Sequence, residues 1–455
     1  MLLPAKDKEE GLRFAIYTLG CKVNQEEAAA MAGIFLKDGF CQVDFEDEAD
    51  VYVINTCTVT HLADRKSRAM IRRARRRNEQ ALVVVTGCYA QVSADELLKL
   101  TEVDLVAGVG ERAILPQLVR QQWQNTSKQA ENSVRKVVSD IQESDRFVPI
   151  SSDVSAQNRV RAYLKIEDGC DQFCHYCIVP YARGPVRSLP MEQAVLQAVQ
   201  LIAAGHKEIV LTGIHIGAYG QDLPHVDHTN LVTLTQKLVK LDGLVRLRFS
   251  SLEPHQINED LIALLREEKK ICPHLHIPLQ SGCDRTLKNM GRRYDTGFYA
   301  DLINRLRQAV PNIAVTTDVM VGYPQETDED FQASYDFCRR MAFADMHVFP
   351  YSQRKGTVAA GLSGQVLPQQ KADRAVRLAD LANSMADAYA SSFLDKSLTI
   401  LPEQAVDYQG KKMLQGHSDE YLLVMFFAPD HLIGQEVKVL AKSLSKDCIL
   451  GELIR

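Results

Sequence analysis

The chain has 455 residues, 46% of them hydrophobic, and a formal net charge of −5, enough for about three domains of roughly 150 residues with ordinary cores. This balance excludes a uniformly basic nucleic-acid binder, so any RNA contact must come from local patches. No apolar run reaches the roughly 18 residues of a spanning helix, and Met1 to Glu10 carries acids where a signal peptide needs an apolar core. The expectation is a soluble, cytoplasmic protein whose eleven cysteines serve metal or redox chemistry rather than disulfides.

From Arg13 to about Arg120 apolar runs alternate with helical patterns. Strands are predicted at Phe14–Leu19, Asp50–Ile54, Ala81–Thr86 and Val103–Val109. Helices are predicted from Gln25 to Lys37 and from about Ala63 to Arg77, and Ser93 to Glu96 reads as a capping box. This alternation predicts a parallel sheet flanked by helices. Cys21, Cys57 and Cys88 follow the first three strands, and in such sheets ligands bind beyond the carboxyl ends of the strands. The three thiols can therefore converge, either as small buried hydrophobes or as ligands of a cluster with one open position. Between Arg65 and Arg77 eight of thirteen residues are basic, with Arg65, Arg68, Arg72 and Arg76 on one helical stripe. Such a stripe suits RNA phosphates or simply a solvated face.

A polar stretch from about Gln121 to Gln157 reads as a linker. Beyond it Cys170, Cys174 and Cys177 fit C-x3-C-x2-C, which lets one tight loop place three thiolates on a four-iron four-sulfur cluster and leaves one iron open to a ligand. The alternatives are three buried thiols grouped by chance or a zinc site, although zinc loops favour paired C-x2-C elements with His partners, and His175 within the loop is poorly placed as one. Six strand candidates beyond the linker are separated by helical patterns, the cysteine loop following the first: Val160–Ile166, Glu208–Thr212, Val245–Ser250, His274–Leu279, Ile313–Val319 and Ala344–Phe349. They predict a partial TIM-type barrel whose chemistry lies on the loops after the strands. Polar or glycine residues stand at those ends, among them Gly213, Ser251, Gln280 and Gly322. Arg183 and Arg187, just after the cysteine loop, are candidates for substrate or ligand contacts, with surface charge as the plainer reading. A helical stretch from about Gln369 to Phe393 leads to β-like runs at Leu398–Leu401, Tyr421–Phe427, Glu436–Leu440 and Cys448–Ile454, enough for a small barrel. Cys272, Cys283, Cys338 and Cys448 lack a shared loop and read as packing thiols.

The loop Glu167-Asp-Gly-Cys-Asp-Gln-Phe-Cys-His-Tyr-Cys177 resembles the defining motif of radical S-adenosylmethionine (SAM) enzymes. Thr18-Leu-Gly-Cys-Lys-Val-Asn-Gln25, Asn55-Thr-Cys-Thr58 and Thr86-Gly-Cys-Tyr-Ala-Gln91 are similar to the three further cysteine motifs of the methylthiotransferases within that superfamily. The Gly-Cys-Lys-Val-Asn-Gln variant is most similar to the subgroup acting on N6-threonylcarbamoyladenosine beside the tRNA anticodon. The resemblance implies an α/β chain divided into a cluster domain (11–125), a linker (126–157), a radical SAM domain (158–392) and a TRAM-like RNA-binding β-barrel (393–455). It implies two four-iron four-sulfur clusters, one on Cys170, Cys174 and Cys177 and one on Cys21, Cys57 and Cys88. Tyr176 packs beside the adenine of SAM in the family, and by position Gly213, Ser251, Gln280 and Gly322 resemble its SAM-contacting elements. SAM is implied to serve twice, as methyl donor and as radical source, with tRNA, a reductant protein and a sulfur donor as partners. Two departures stand out: Leu189 where the family usually has arginine, and Gln325 where it has glycine. The rival readings are a methylthiotransferase for isopentenyladenosine or for a ribosomal protein aspartate, and a non-catalytic iron-sulfur RNA-binding sensor.

Overall fold

A computed structural model describes residues 11–127, 135–149, 160–224, 229–446 and 448–454. The first body is a six-stranded parallel sheet in the order β2-β1-β3-β4-β5-β6. Its strands are β1 (Arg13–Thr18), β2 (Cys41–Gln42), β3 (Val51–Thr56), β4 (Leu82–Gly87), β5 (Leu105–Ala107) and β6 (Lys136–Val137), with helices α1 (Lys22–Lys37), α2 (His61–Arg77), α3 (Cys88–Val92), α4 (Ala94–Leu97) and α5 (Leu115–Ser127). The central β3 and β4 are buried throughout, as their uninterrupted apolar runs require when helices cover both faces. Residues expected as linker contribute here, because α5 runs to Ser127 and β6 pairs with β5 through Val106 and Lys136. Within that linker, 128–134 and 150–157 lie outside the described residues. The Ser93 capping box does not form. Ser93 also ends α3, its side chain caps nothing, and Glu96 instead accepts from the Tyr89 hydroxyl at 3.1 Å.

The second body has six parallel strands. β7 (Arg161–Lys165), β10 (Glu208–Thr212) and β11 (Arg246–Phe249) form one sheet, and β12 (His274–His276), β13 (Ala314–Val321) and β14 (Asp345–Pro350) another. Bridges Leu247 to Ile271 and Ser251 to His276 join them into one curved wall, while β8 (Glu167–Asp168) and β9 (Arg187–Ser188) pair beside the cysteine loop. Helices α6 (Val179–Arg183), α7 (Met191–Ala203), α8 (Leu231–Leu238), α9 (Glu259–Glu267), α10 (Asp284–Asn289), α11 (Thr296–Ala309) and α12 (Asp328–Met341) follow the strands, and α13 (Pro368–Ser391) ends the body. Strand side chains alternate between faces. Ile209, Leu211, Leu247, Phe249, Leu275 and Ile277 join the apolar core under the helices, so Glu208, Arg246, Arg248, His274 and Thr316, all buried, line a polar lumen.

A closed antiparallel-rich barrel, β15 (Ser397–Tyr408), β16 (Lys411–Ser418), β17 (Leu423–Phe426), β18 (Val437–Ser445) and β19 (Cys448–Leu453), completes the chain. It docks where the large barrel's strands begin: Arg161 pairs with Glu403 at 2.8 Å, Arg246 with Asp419 at 2.9 Å and Glu436 at 2.8 Å, and Arg248 donates to the Ser418 carbonyl at 3.2 Å. The cysteine loop lies at the opposite strand ends, where the barrel rule expects chemistry.

Candidate functional site: two cysteine sets on one lumen

The loop carrying Cys170, Cys174 and Cys177 leaves β8 through Gly169, whose φ is +93° and whose missing Cβ would fall 1.8 Å from the Pro185 carbonyl oxygen. Only glycine makes that turn without displacing backbone. The Cys177 N–H donates to the Cys174 carbonyl at 2.9 Å, closing the loop. His175 faces away from the thiols, its Nδ1 donating to the Asn289 carbonyl at 2.7 Å and its backbone N–H to that of Met290 at 2.9 Å. Tyr176 packs on the cluster of Met290, Met320, Tyr323 and Tyr351. Above it sits a residue that sequence reasoning missed. Arg292 ion-pairs with Glu253 and reaches the Cys174 Sγ at 3.3 Å and the Tyr176 hydroxyl at 3.4 Å. Nothing local marks it, because it is 118 residues from Cys174.

The polar strand ends divide by role. Gly213 packs on Glu167, where a Cβ would lie 2.7 Å from a carboxylate oxygen, and at Gly322, with φ +71°, a Cβ would meet Lys371. Ser251 is exposed and bridges to His276. Gln280 holds φ +65°, exchanging backbone hydrogen bonds with Asp318 and Met320. Its buried Oε1, with Thr212 Oγ1 and Ser250 Oγ, has no hydrogen-bond partner among the described residues. Buried polar atoms left unpaired are costly. Three of them at successive strand ends suit a polar ligand such as SAM.

The second set sits at the carboxyl ends of the first sheet. Cys21 precedes α1, Cys57 follows β3, and Cys88 begins α3. Register aligns Thr18 with Asn55 and Thr56 with Gly87, so the three loops leave the sheet side by side. Gly20, at φ +107°, brings the Cys21 turn within 3.2 Å (from its notional Cβ) of the Cys57 Sγ. Asn24 donates to the Leu19 and Thr56 carbonyls at 2.6 and 3.1 Å, and Asn55 donates to the Asn24 carbonyl at 2.9 Å. Burial, then the neighbouring Cys88 thiol, pushes Cys57 up to about 12, and burial, then Cys174, does the same to Cys177. Iron binds thiolates, so loading either set releases protons. Among the described residues no three His, Cys, Asp or Glu are grouped to hold a single metal ion.

Arg183 and Arg187 are buried between the bodies rather than exposed to ligand. The Arg183 Nη1 and Nη2 donate to Glu27 at 2.6 and 3.1 Å, its Nη2 to Asn24 Oδ1 at 2.6 Å, and its Nε to the Cys88 Sγ at 3.2 Å. Lys165 joins Glu27 at 2.6 Å to Asp168 at 2.7 Å, and Arg112 pairs with Glu27 at 2.6 Å. On the far side of the opening Arg354, in the loop after β14, donates to Thr58 and Asp64 of the first body at 2.6 and 2.7 Å. The first body is thus anchored to the barrel on both sides of its opening.

Two cation sets remain. Lys22, next to Cys21, is lowered to about 8 by burial and by Arg161 and Arg248, and has no hydrogen-bond or ion-pair partner among the described residues. On α2, Arg68 of the stripe donates to the Tyr89 hydroxyl at 2.6 Å and Arg72 lies 3.6 Å from Glu102, while off the stripe Arg75 pairs with Asp104 at 2.5 Å and Arg73 and Arg77 are held by Glu46. Arg65, Lys66 and Arg76 are exposed.

Residues 13–108 match the family described as Uncharacterized protein family UPF0004, and 164–338 match the Radical SAM superfamily. The chain is 43% identical to the threonylcarbamoyladenosine tRNA methylthiotransferase MtaB of Bacillus subtilis, over 93% of this chain and 92% of that protein. The chain belongs to the radical SAM methylthiotransferase family. A tRNA-2-methylthio-N(6)-dimethylallyladenosine synthase of Natranaerobius thermophilus is 33% identical to this methylthiotransferase over 94% of each chain. Among solved structures, the radical SAM methyltransferase TsrM of Kitasatospora setae shares the fold at TM-score 0.57 and 15% identity, covering 77% of each chain. In this methylthiotransferase Gln325 takes φ +67°, a left-handed conformation that glycine adopts without strain, and Leu189 is buried in the apolar core.

Proposed function

We propose that this enzyme methylthiolates carbon 2 of N6-threonylcarbamoyladenosine beside the anticodon of tRNA, with one four-iron four-sulfur cluster on Cys170, Cys174 and Cys177 and a second on Cys21, Cys57 and Cys88. What supports the reading is that Arg183, six residues after Cys177, reaches across to Cys88 at 3.2 Å and to Asp168 beside the other cysteine loop at 3.4 Å. When bound, the clusters and SAM supply the radical, the sulfur and the methyl group, chemistry that protein side chains do not offer.

The protein's part is placement. Arg292 sits against Cys174 and Tyr176, where its guanidinium is suited to a carboxylate such as that of SAM. Thr212, Ser250 and Gln280 offer unpaired polar atoms to the rest of that ligand. Lys22 favours the threonylcarbamoyl substrate over the isopentenyl one, because the first carries a carboxylate and the second an apolar chain. A half-buried cation with no hydrogen-bonded partner binds an anion more readily than a hydrocarbon. Exposed Arg65, Lys66 and Arg76 on α2 offer charge to tRNA phosphates. A reductant protein and a sulfur donor complete the reaction, and among the described residues no helix is long and apolar enough to cross a membrane.

Cys174→Ala is expected to abolish SAM cleavage to deoxyadenosine, whereas Cys57→Ala leaves cleavage and stops thiolation. A Cys57→Ala enzyme that still thiolates RNA would exclude the second cluster assignment. Presenting threonylcarbamoyl tRNA, isopentenyl tRNA and the ribosomal protein in parallel separates the substrate readings, and failure to consume SAM under reducing, anaerobic conditions would favour a sensor.

A further inference from the structure

The ion pairs around Arg183 do not balance. Arg112, Lys165, Arg183 and Arg187 meet only Glu27 and Asp168 in this network. All six residues are buried, Arg183 completely. Glu26 is a further carboxyl near Lys165 and Arg112, which still leaves at least one positive charge over, and excess positive charge in a buried site is costly unless an anion lies beside it. Cys21, Cys57 and Cys88, which would become anionic on binding iron, all lie near Arg183, and it is Cys88 that accepts from the Arg183 Nε at 3.2 Å. The guanidinium is held in that orientation by Asn24 and by both oxygens of Glu27. It reaches there from α6, which begins two residues after Cys177.

We propose that Arg183 is the positioning residue of the second cluster: through its Nε–H···Sγ bond to Cys88 and the surplus charge behind it, it raises that cluster's reduction potential and fixes it relative to the SAM-binding loop. The inference rests on the assignment of Cys21, Cys57 and Cys88 as cluster ligands. Its physical basis is general. An N–H donor or positive charge at a ligand sulfur stabilises the reduced, more negative state of an iron-sulfur cluster, and hydrogen bonds to sulfur are among the levers that set the potential.

The test is a potentiometric titration followed by electron paramagnetic resonance on the full-length, reconstituted Cys174→Ala protein, in which the second cluster titrates alone. Arg183→Gln removes charge and donor; Arg183→Lys keeps the charge, protects folding and loses the planar Nε contact. The expected order of midpoint potentials is parent highest, Arg183→Lys lower and Arg183→Gln lowest, with iron content retained in the lysine variant. A folded, iron-loaded Arg183→Lys protein with the parent's potential and line shape would overturn the proposal. If the Cys174→Ala parent itself assembles no cluster, the ligand assignment fails and takes the inference with it.

Discussion

At the residue scale, what was legible was what is local. The C-x3-C-x2-C spacing and three cysteines each placed after a strand pointed to both thiol sets, because backbone geometry alone brings those thiols together. Arg292, Glu27 and the true place of Arg183 were not legible, since Glu27 and Arg183 meet across 156 residues and no periodicity encodes such a contact. Two residue-level expectations follow. Lys22→Gln should lower kcat/KM on threonylcarbamoyl tRNA roughly 10- to 100-fold, the loss of about 1.5–3 kcal/mol typical of a charge-assisted contact, with Lys22→Arg retaining part of it. An unchanged preference between threonylcarbamoyl and isopentenyl tRNA would remove Lys22 from substrate choice. Gly169→Ala must both enter the left-handed region and displace the Pro185 carbonyl, so it should cost about 2 kcal/mol or more, seen as a lowered thermal midpoint and loss of iron from the SAM-binding loop.

At the element scale, long apolar strands were readable and short polar ones were not. All six barrel strands and the four central strands of the first sheet fall where alternation places them. β2 and β6 have two residues each, and β16, Lys411 to Ser418, carries two lysines, a glutamine and a histidine, so none shows the apolar run that signals a strand. The basic run on α2 is a case where charge density and available charge differ, because Arg73, Arg75 and Arg77, off the stripe, are spent on Glu46 and Asp104 and Arg68 on Tyr89, while Arg65 and Arg76 of the stripe stay exposed. Replacing exposed Arg65, Lys66 and Arg76 by glutamine should weaken tRNA binding and flatten its dependence on salt, by about one unit of slope for each phosphate no longer neutralised. Replacing paired Arg75 should instead reduce stability. A filter-binding series across salt concentrations separates the two.

At the scale of the whole molecule, the arrangement that no single motif shows is the closure of the barrel's open side by the first sheet. Two buried anchors hold it, the Glu27 network and Arg354 with Asp64. Arg354→Ala leaves Asp64 buried without its partner and should cost about 3–5 kcal/mol, measurable by urea unfolding. The Glu27 network makes assembly pH-dependent with a definite sign. Although burial alone would raise the Glu27 carboxyl, Arg112, Arg183 and Lys165 together hold it down at about 2. Its stabilisation is therefore complete above the ordinary value of about 4.5 and is lost as pH falls toward 2. Urea midpoints should fall between pH 5 and pH 3, and Glu27→Gln should remove much of that dependence. Lys22 of the first body lies near the lumen residues Arg248 and Glu208.

The most direct test of the central claim is mass spectrometry of nucleosides from tRNA incubated anaerobically with the reconstituted enzyme, SAM, a reductant and sulfide. The account predicts a methylthio group on threonylcarbamoyladenosine together with deoxyadenosine in solution. Deoxyadenosine without that modified nucleoside would contradict the substrate assignment, and the absence of both would contradict the enzyme itself.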